Sequence, residues 1–156
     1  MSKRSAGLLV YREASSGSLE VFLVHPGGPF WKNKDEGAWS IPKGEFTDEE
    51  DPLTSAKREF REETGFDIDG AFEPLQPVKQ AGGKTVYAWA VKGDLDAAAV
   101  RSNRFALEWP PGSGKVREFP EVDRGAWFGL DVARHKVVKG QVDLLDQLAL
   151  RLSGQR

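Results

Sequence analysis

Cysteine is absent from the 156 residues, which excludes disulfides, zinc-thiolate sites and cysteine nucleophiles together. Histidine occurs only at positions 25 and 135. Neither has a partner pattern, so His25 and His135 read as structural, and any bound metal has to rest on oxygen or histidine. An excess of positive charge is missing as well: 22 Lys and Arg face 24 Asp and Glu, for a net charge of −2. No whole-surface basic field recruits nucleic acid, although a local patch is compatible with that balance. Long apolar runs are lacking too. None approaches the roughly 20 residues that span a bilayer, and the apolar stretch after Met1-Ser2-Lys3-Arg4-Ser5 turns polar at Arg12, too soon for a signal peptide. The expectation is a cytoplasmic protein with no membrane partner and no stable nucleic-acid partner. No internal repeat is present, the length suits a single domain over residues 1–156, and nothing in it fixes an oligomeric state.

What the chain does have is concentrated between Gly44 and Phe66. Asp51 suits a helix N-cap and Pro52 the first helical position, where a missing N–H costs nothing. Gly65 suits the left-handed residue just past the end. A helix of about three and a half turns is predicted between them. On it Leu53, Ala56 and Phe60 share one stripe, while Glu59, Glu62 and Glu63 crowd a neighbouring face. Acids three and four apart repel by a few tenths of a kcal/mol per pair, and Glu62 and Glu63 sit at the negative end of the helix dipole. A hard cation such as Mg²⁺ or Mn²⁺ would relieve that repulsion. A solvated face with Lys57, Arg58 and Arg61 as ion-pair partners would do so equally well.

Around the helix the chain alternates between apolar segments and turns. Residues 5–12 and 20–25 read as a hairpin, Pro26-Gly27-Gly28-Pro29 as a turn, 30–37 as a polar loop carrying Trp31 and Lys32, and Trp39 to Gly44 as a short strand. Asp67 to Pro77 is irregular with some strand character, and residues 80–83 form a turn. Lys84 to Lys92 alternates as a strand, placed centrally, with Tyr87 and Trp89 pointing to one side, either into the core or toward a cleft. Residues 93–118 are the least regular. Gly112-Ser113-Gly114-Lys115 is not a phosphate loop, because Trp109 stands where that motif needs glycine and Val116 where it needs Ser or Thr. Arg101, Arg104, Lys115 and Arg117 make this segment either a lid over an anionic substrate or a solvated connector. A strand at 125–128, a short helix from Asp131 to Val138 capped by Asp131, and an amphipathic helix over 141–152 complete the chain.

Gly44, five residues, Glu50, seven residues, then Arg58-Glu59-Phe60-Arg61-Glu62-Glu63-Thr64-Gly65-Phe66 resembles the signature of the Nudix hydrolases. Phe60 and Phe66 stand where that family usually has an aliphatic residue, a change of bulk and not of chemistry. The resemblance implies a mixed α+β fold, an α-β-α sandwich with a mixed central sheet. It implies hydrolysis of a nucleoside diphosphate linked to another group, by attack of water on a bridge phosphorus. Glu59, Glu62 and Glu63 are then metal ligands, joined by the backbone carbonyl of Lys43. Arg58 orients Glu59 or Glu62, Glu50 supports the loop, and the general base is left unassigned. Glu121, six residues before Trp127, matches the place of a further acid, with Glu118 and Asp123 as rivals. The segments Trp39 to Gly44 and Lys84 to Trp89 resemble those of diadenosine tetraphosphate hydrolases, which implies phosphate contacts from Lys43 and Lys84 and base stacking on Tyr87. A dinucleoside polyphosphate is thus the leading substrate and a nucleoside triphosphate the alternative. A non-catalytic nucleotide-binding regulator is the reading from another class, disfavoured because such modules typically break the glutamates that are intact here. An RNA-decapping role would want a broad basic surface that is missing.

Overall fold

The chain folds, in a computed structural model describing residues 3–154, into strands β1 (Arg4–Glu13), β2 (Leu19–Pro26) and β3 (Lys43–Glu45), helix α1 (Pro52–Thr64), strands β4 (Glu73–Pro74), β5 (Val78–Gln80), β6 (Lys84–Lys92), β7 (Arg104–Glu108), β8 (Val116–Pro120) and β9 (Val122–Gly129), and helices α2 (Leu130–Lys136) and α3 (Val142–Ser153). Met1 and Ser2 of the basic start, and Gln155 and Arg156 at the end of the predicted domain, lie outside the described residues. Helix α1 begins and ends where its caps predict. The Asp51 side chain accepts the Thr54 N–H at 3.0 Å, and Gly65, at φ 82°, donates its N–H to Arg61 O at 2.8 Å.

Seven strands make one sheet in the order β4-β6-β1-β2-β9, with β3 added to β1 and β5 to β6. The β1–β6 pair is parallel and the rest antiparallel, so the sheet is mixed. Alternation along the strands sends Leu9, Val21, Leu23, Val86 and Ala88 to a face covered by Ala133, Leu144, Leu145 and Leu148 of α2 and α3. The opposite face presents Ala6, Leu8, Val10, Phe22 and Val24 to Ala56 and Phe60 of α1. The result is the expected α-β-α sandwich. Phe60, 1% exposed, meets Phe22 edge-on at 6.3 Å, and burial of such a ring stabilises by about 1.5–3 kcal/mol.

Several expectations need correction. Regular pairing begins only at Lys43, because Pro42 has no N–H to give a ladder; Trp39 and Ser40 make isolated bridges to Val137 and Val24. Strand β6 is interior as predicted, flanked by β1 on one side and by β4 and β5 on the other, although β1 is the middle of the order. The irregular 93–118 segment contains the β7–β8 hairpin, a separate two-stranded sheet, in which the alternation of Phe105 and Leu107 with Ala106 and Glu108 is too short to stand out. Strand β9 starts at Val122, ahead of the predicted 125. Helix α2 is entered from Gly129 without a side-chain cap, and Asp131 lies in its first turn, paired with Arg134 at 3.1 Å.

Candidate active site

Three elements bring acids together. On α1, Glu59 lies under β3, and the reason Gly44 is glycine follows: a Cβ there would stand 2.5 Å from Glu59 Oε1 and closer still to Cδ and Oε2. Arg58 holds this side of the helix. Its Nη1 donates to Glu50 Oε2 at 2.6 Å and its Nη2 to Glu59 Oε1 at 3.2 Å, with Glu62 Oε1 at 3.8 Å from Nε. Glu50 in turn accepts the Thr47 N–H at 2.9 Å. Arg58 and this loop hydrogen bond hold the Glu50 carboxyl at about 2.

Glu63, one turn on from Glu59, faces the end of β3 instead. Its Oε1 accepts the Lys43 N–H at 3.3 Å. Burial raises the Glu63 carboxyl to about 8, against the attraction of Lys43 and with the help of repulsion from Glu59 and Glu121. Burial also pushes the Lys43 ammonium down and the Glu59 carboxyl up. Glu63, Lys43 and Glu121 line one cavity of about 350 Å³ together with Trp31, Ser40, Ile41, Gln80 and the apolar walls of β2, Ala38 and Val138. That volume is in the range of small-molecule sites.

Glu121 reaches this place through backbone hydrogen bonds that no spacing in the sequence discloses. The N–H of Asn103 donates to Glu62 O at 2.8 Å, and the N–H of Glu121 donates to Asn103 O at 2.9 Å. Arg101 N–H donates to Thr64 O at 2.9 Å, so residues 101–103 both satisfy the last carbonyls of α1 and fix Glu121 beside them. Ser102 Oγ adds a bond to the Val122 N–H at 3.0 Å. Of the two rivals, Glu118 is exposed on β8. Asp123 is occupied by His25, whose Nδ1 lies 2.9 Å from Asp123 Oδ1 while Nε2 donates to Lys34 O at 2.5 Å.

Lys84, at the start of β6, stands close enough to Lys43 to disfavour its charge, but of the two only Lys43 lines the cavity. Tyr87 is not brought to the cavity. It is half-buried against Phe46, ring centroids 5.8 Å apart, and joins Trp89 in the core layer beneath α1. The aromatic ring that does reach the cavity is Trp31, 38% exposed, with Lys34 Nζ 5.3 Å from its centroid. In the sequence it sits in a polar loop with no periodicity to mark it.

The donors gathered here are all oxygens, suited in kind to a hard divalent cation. Repulsion among Glu59, Glu62, Glu63 and Glu121 is the deficit such a cation would offset. Among the described residues, no three acidic or histidine side chains already stand as a metal cage. Glu59 is turned to Arg58 and Glu63 to the Lys43 N–H, so the fit is one of chemistry and place.

Comparison with known proteins gives the same frame. The sequence matches the NUDIX domain over residues 1–148. No curated protein matches the chain. Among solved structures, a C. elegans Ap4A hydrolase in a binary complex is 23% identical, with a TM-score of 0.68 over 97% of this chain and 98% of that one. The NUDIX domain of Shewanella oneidensis NrtR, complexed with ADP ribose, is 18% identical at TM-score 0.66, over 97% and 89%. A mutT/nudix family protein from Listeria innocua is 17% identical at TM-score 0.62, over 98% and 95%.

Proposed function

The chain belongs to the Nudix hydrolase family, and from that membership we propose that it hydrolyses, with Mg²⁺ or Mn²⁺, the diphosphate bridge of a nucleoside diphosphate linked to a second group, leading candidate a dinucleoside polyphosphate. The observation that carries this reading is the meeting of Glu63, Glu121 and Lys43 in one cavity, with Glu59 close enough to repel both acids. Phosphoryl transfer needs positioning and charge neutralisation more than covalent chemistry. This cavity offers both.

Glu59, Glu62, Glu63 and Glu121, with the backbone carbonyl of Lys43, would hold the cation. When bound it supplies charge neutralisation at the bridging oxygens and a lowered pKa for the attacking water. The chain's own groups do the rest. Arg58 holds the Glu59 carboxylate through Oε1. The Lys43 N–H fixes Glu63, and the Lys43 and Lys84 ammonium groups meet the outer phosphate oxygens as point charges. A carboxylate of the cluster takes the proton of the water. Trp31 supplies the stacking surface that Tyr87, in the core, does not. Residues 1–156 act as one domain in this reading, on small nucleotides of the cytoplasm.

The test is a hydrolysis screen over diadenosine and diguanosine tetraphosphates, nucleoside triphosphates, ADP-ribose and nucleotide sugars, with products identified and Mg²⁺, Mn²⁺ or chelator present. A dinucleoside polyphosphate should give the highest kcat/KM. A clear preference for triphosphates moves the protein to general nucleotide pyrophosphohydrolysis, and binding without turnover moves it to a regulator.

A further inference from the structure

Behind the cavity wall lies a hydrogen-bond relay whose polarity is set by the backbone. Gln141, 1% exposed, accepts the Ile41 N–H on its Oε1 at 3.0 Å. A backbone N–H can only donate, so the amide of Gln141 cannot be flipped, and its Nε2 must point the other way. There it donates to Ser40 Oγ at 2.9 Å and to Gln80 Oε1 at 2.8 Å. Gln80 is therefore fixed in turn: its oxygen faces Gln141, and its NH₂ faces away. That NH₂ has no protein acceptor among the described residues, and Gln80 lines the cavity that holds Glu63 and Lys43. The Ser40 hydroxyl accepts from Gln141 and commits its one proton to Ile41 O at 2.7 Å.

The approach of the two glutamines is built into the fold. The turn Lys139–Gln141 packs on β5 so tightly that a Cβ on Gly140 would stand 2.7 Å from Lys79 O and 2.9 Å from Gln80 Cα. Only glycine lets Gln141 come within hydrogen-bonding reach there.

We infer that Gln80 is a specificity-determining residue that donates from its amide NH₂ to a keto oxygen of the substrate's nucleobase, with Gln141 as the positioning residue that forbids the opposite orientation. Guanine and uracil present a carbonyl acceptor where adenine and cytosine present an amino donor. An amide whose oxygen is held by Gln141 offers its donors to the cavity it lines; it pairs with the first kind and leaves the second facing N–H to N–H. A free glutamine would rotate to suit either. The inference rests on the reading of this cavity as a nucleotide site.

The experiment compares kcat/KM for UTP against CTP and for diguanosine against diadenosine tetraphosphate, in the wild type, Gln80→Leu and Gln141→Leu. Calorimetric binding of the α,β-methylene analogues of GTP and ATP gives a readout apart from turnover. The wild type should favour the keto member of each pair by roughly tenfold, the scale of one hydrogen bond made or left unmade. In Gln80→Leu the preference should fall to about twofold or less through KM, with kcat on the favoured substrate nearly unchanged. Gln141→Leu should lose it likewise while Gln80 is still present, which a merely structural role would not produce; if that buried change fails to fold, the half-buried Gln80 variant carries the test alone. Nucleotide turnover with equal or reversed preference, or a preference that survives Gln80→Leu, overturns the role of Gln80 and leaves the hydrolase reading intact. Neither turnover nor binding of any nucleotide overturns both.

Discussion

Replacing Gly44 by alanine separates catalysis from folding in this protein. The new Cβ would lie 2.5 Å from Glu59 Oε1 and nearer to the other carboxyl atoms, where ordinary contact begins at 3.4 Å. The nearest of them, Cδ at 2.0 Å, has to retreat by about 1.4 Å to reach that distance, and the group met is the far end of a flexible side chain, not backbone. Glu59 therefore swings aside, and the Arg58 Nη2 to Glu59 Oε1 bond of 3.2 Å is lost with it. That surface-edge bond contributes about 1 kcal/mol. The loss is offset by the ~0.4–1 kcal/mol that Gly→Ala removes from unfolded-chain entropy. Net stability should stay within about 1 kcal/mol, a Tm change of ~2–4 °C for a chain of this size. Activity should not stay, since a displacement of about 1 Å in a catalytic group already costs on the order of 10²-fold. Thermal melts and steady-state kinetics on the same preparation decide it. Unchanged kcat, or a loss of many degrees in Tm, would refute the placement of Glu59 against Gly44.

Glu63 links stability to pH. Its carboxyl is raised from 4.5 to about 8 in the fold, so the native state binds the extra proton between those values and the metal-free protein loses stability as pH rises through that window. Metal-free Glu63→Gln should therefore melt at least ~2 °C above the wild type at pH 8 and close to it at pH 4.5; equal melting at both would remove the buried acid from the account. Glu121→Gln should lower kcat by roughly tenfold or more while Glu118→Gln leaves it within twofold, the difference expected of a group at the reacting centre; the reverse order would return the rival acid. Phe60→Ala should cost ~3–5 kcal/mol in urea unfolding, since the ring is buried and packed on Phe22; less than 1 kcal/mol would mean that α1 is not anchored there.

Much of this was legible in the residues themselves, and what was not has a physical reason. The caps Asp51, Pro52 and Gly65 and the stripe of Leu53, Ala56 and Phe60 specify α1 through local interactions, and the alternation in β1, β2 and β6 specifies strands. The placement of Glu121 depends on the Asn103 backbone bridging Glu62 and Glu121, partners 41 and 18 positions away by their numbering, and backbone bonds leave no side-chain signature. Tyr87 and Trp89 share a side by strand period, but which side faces α1 is decided by the register of β6 on β1, where Tyr87 pairs with Ala6. Gln80 and Gln141 are neutral residues with no motif. Their relation exists only because Gly140 lets two distant segments touch.

The central claim is that the acids meeting around this cavity hold a divalent cation that drives hydrolysis. It is tested most directly by titrating Mg²⁺ into chelator-treated wild type and Glu63→Gln while following release of product from diguanosine tetraphosphate. Activity should rise from baseline to saturation in the wild type, and kcat in Glu63→Gln should be lower by at least ~10²-fold, the scale of removing one electrostatic stabiliser of the transition state. Turnover independent of Mg²⁺, or a Glu63→Gln enzyme as fast as the wild type at saturating metal, would contradict it.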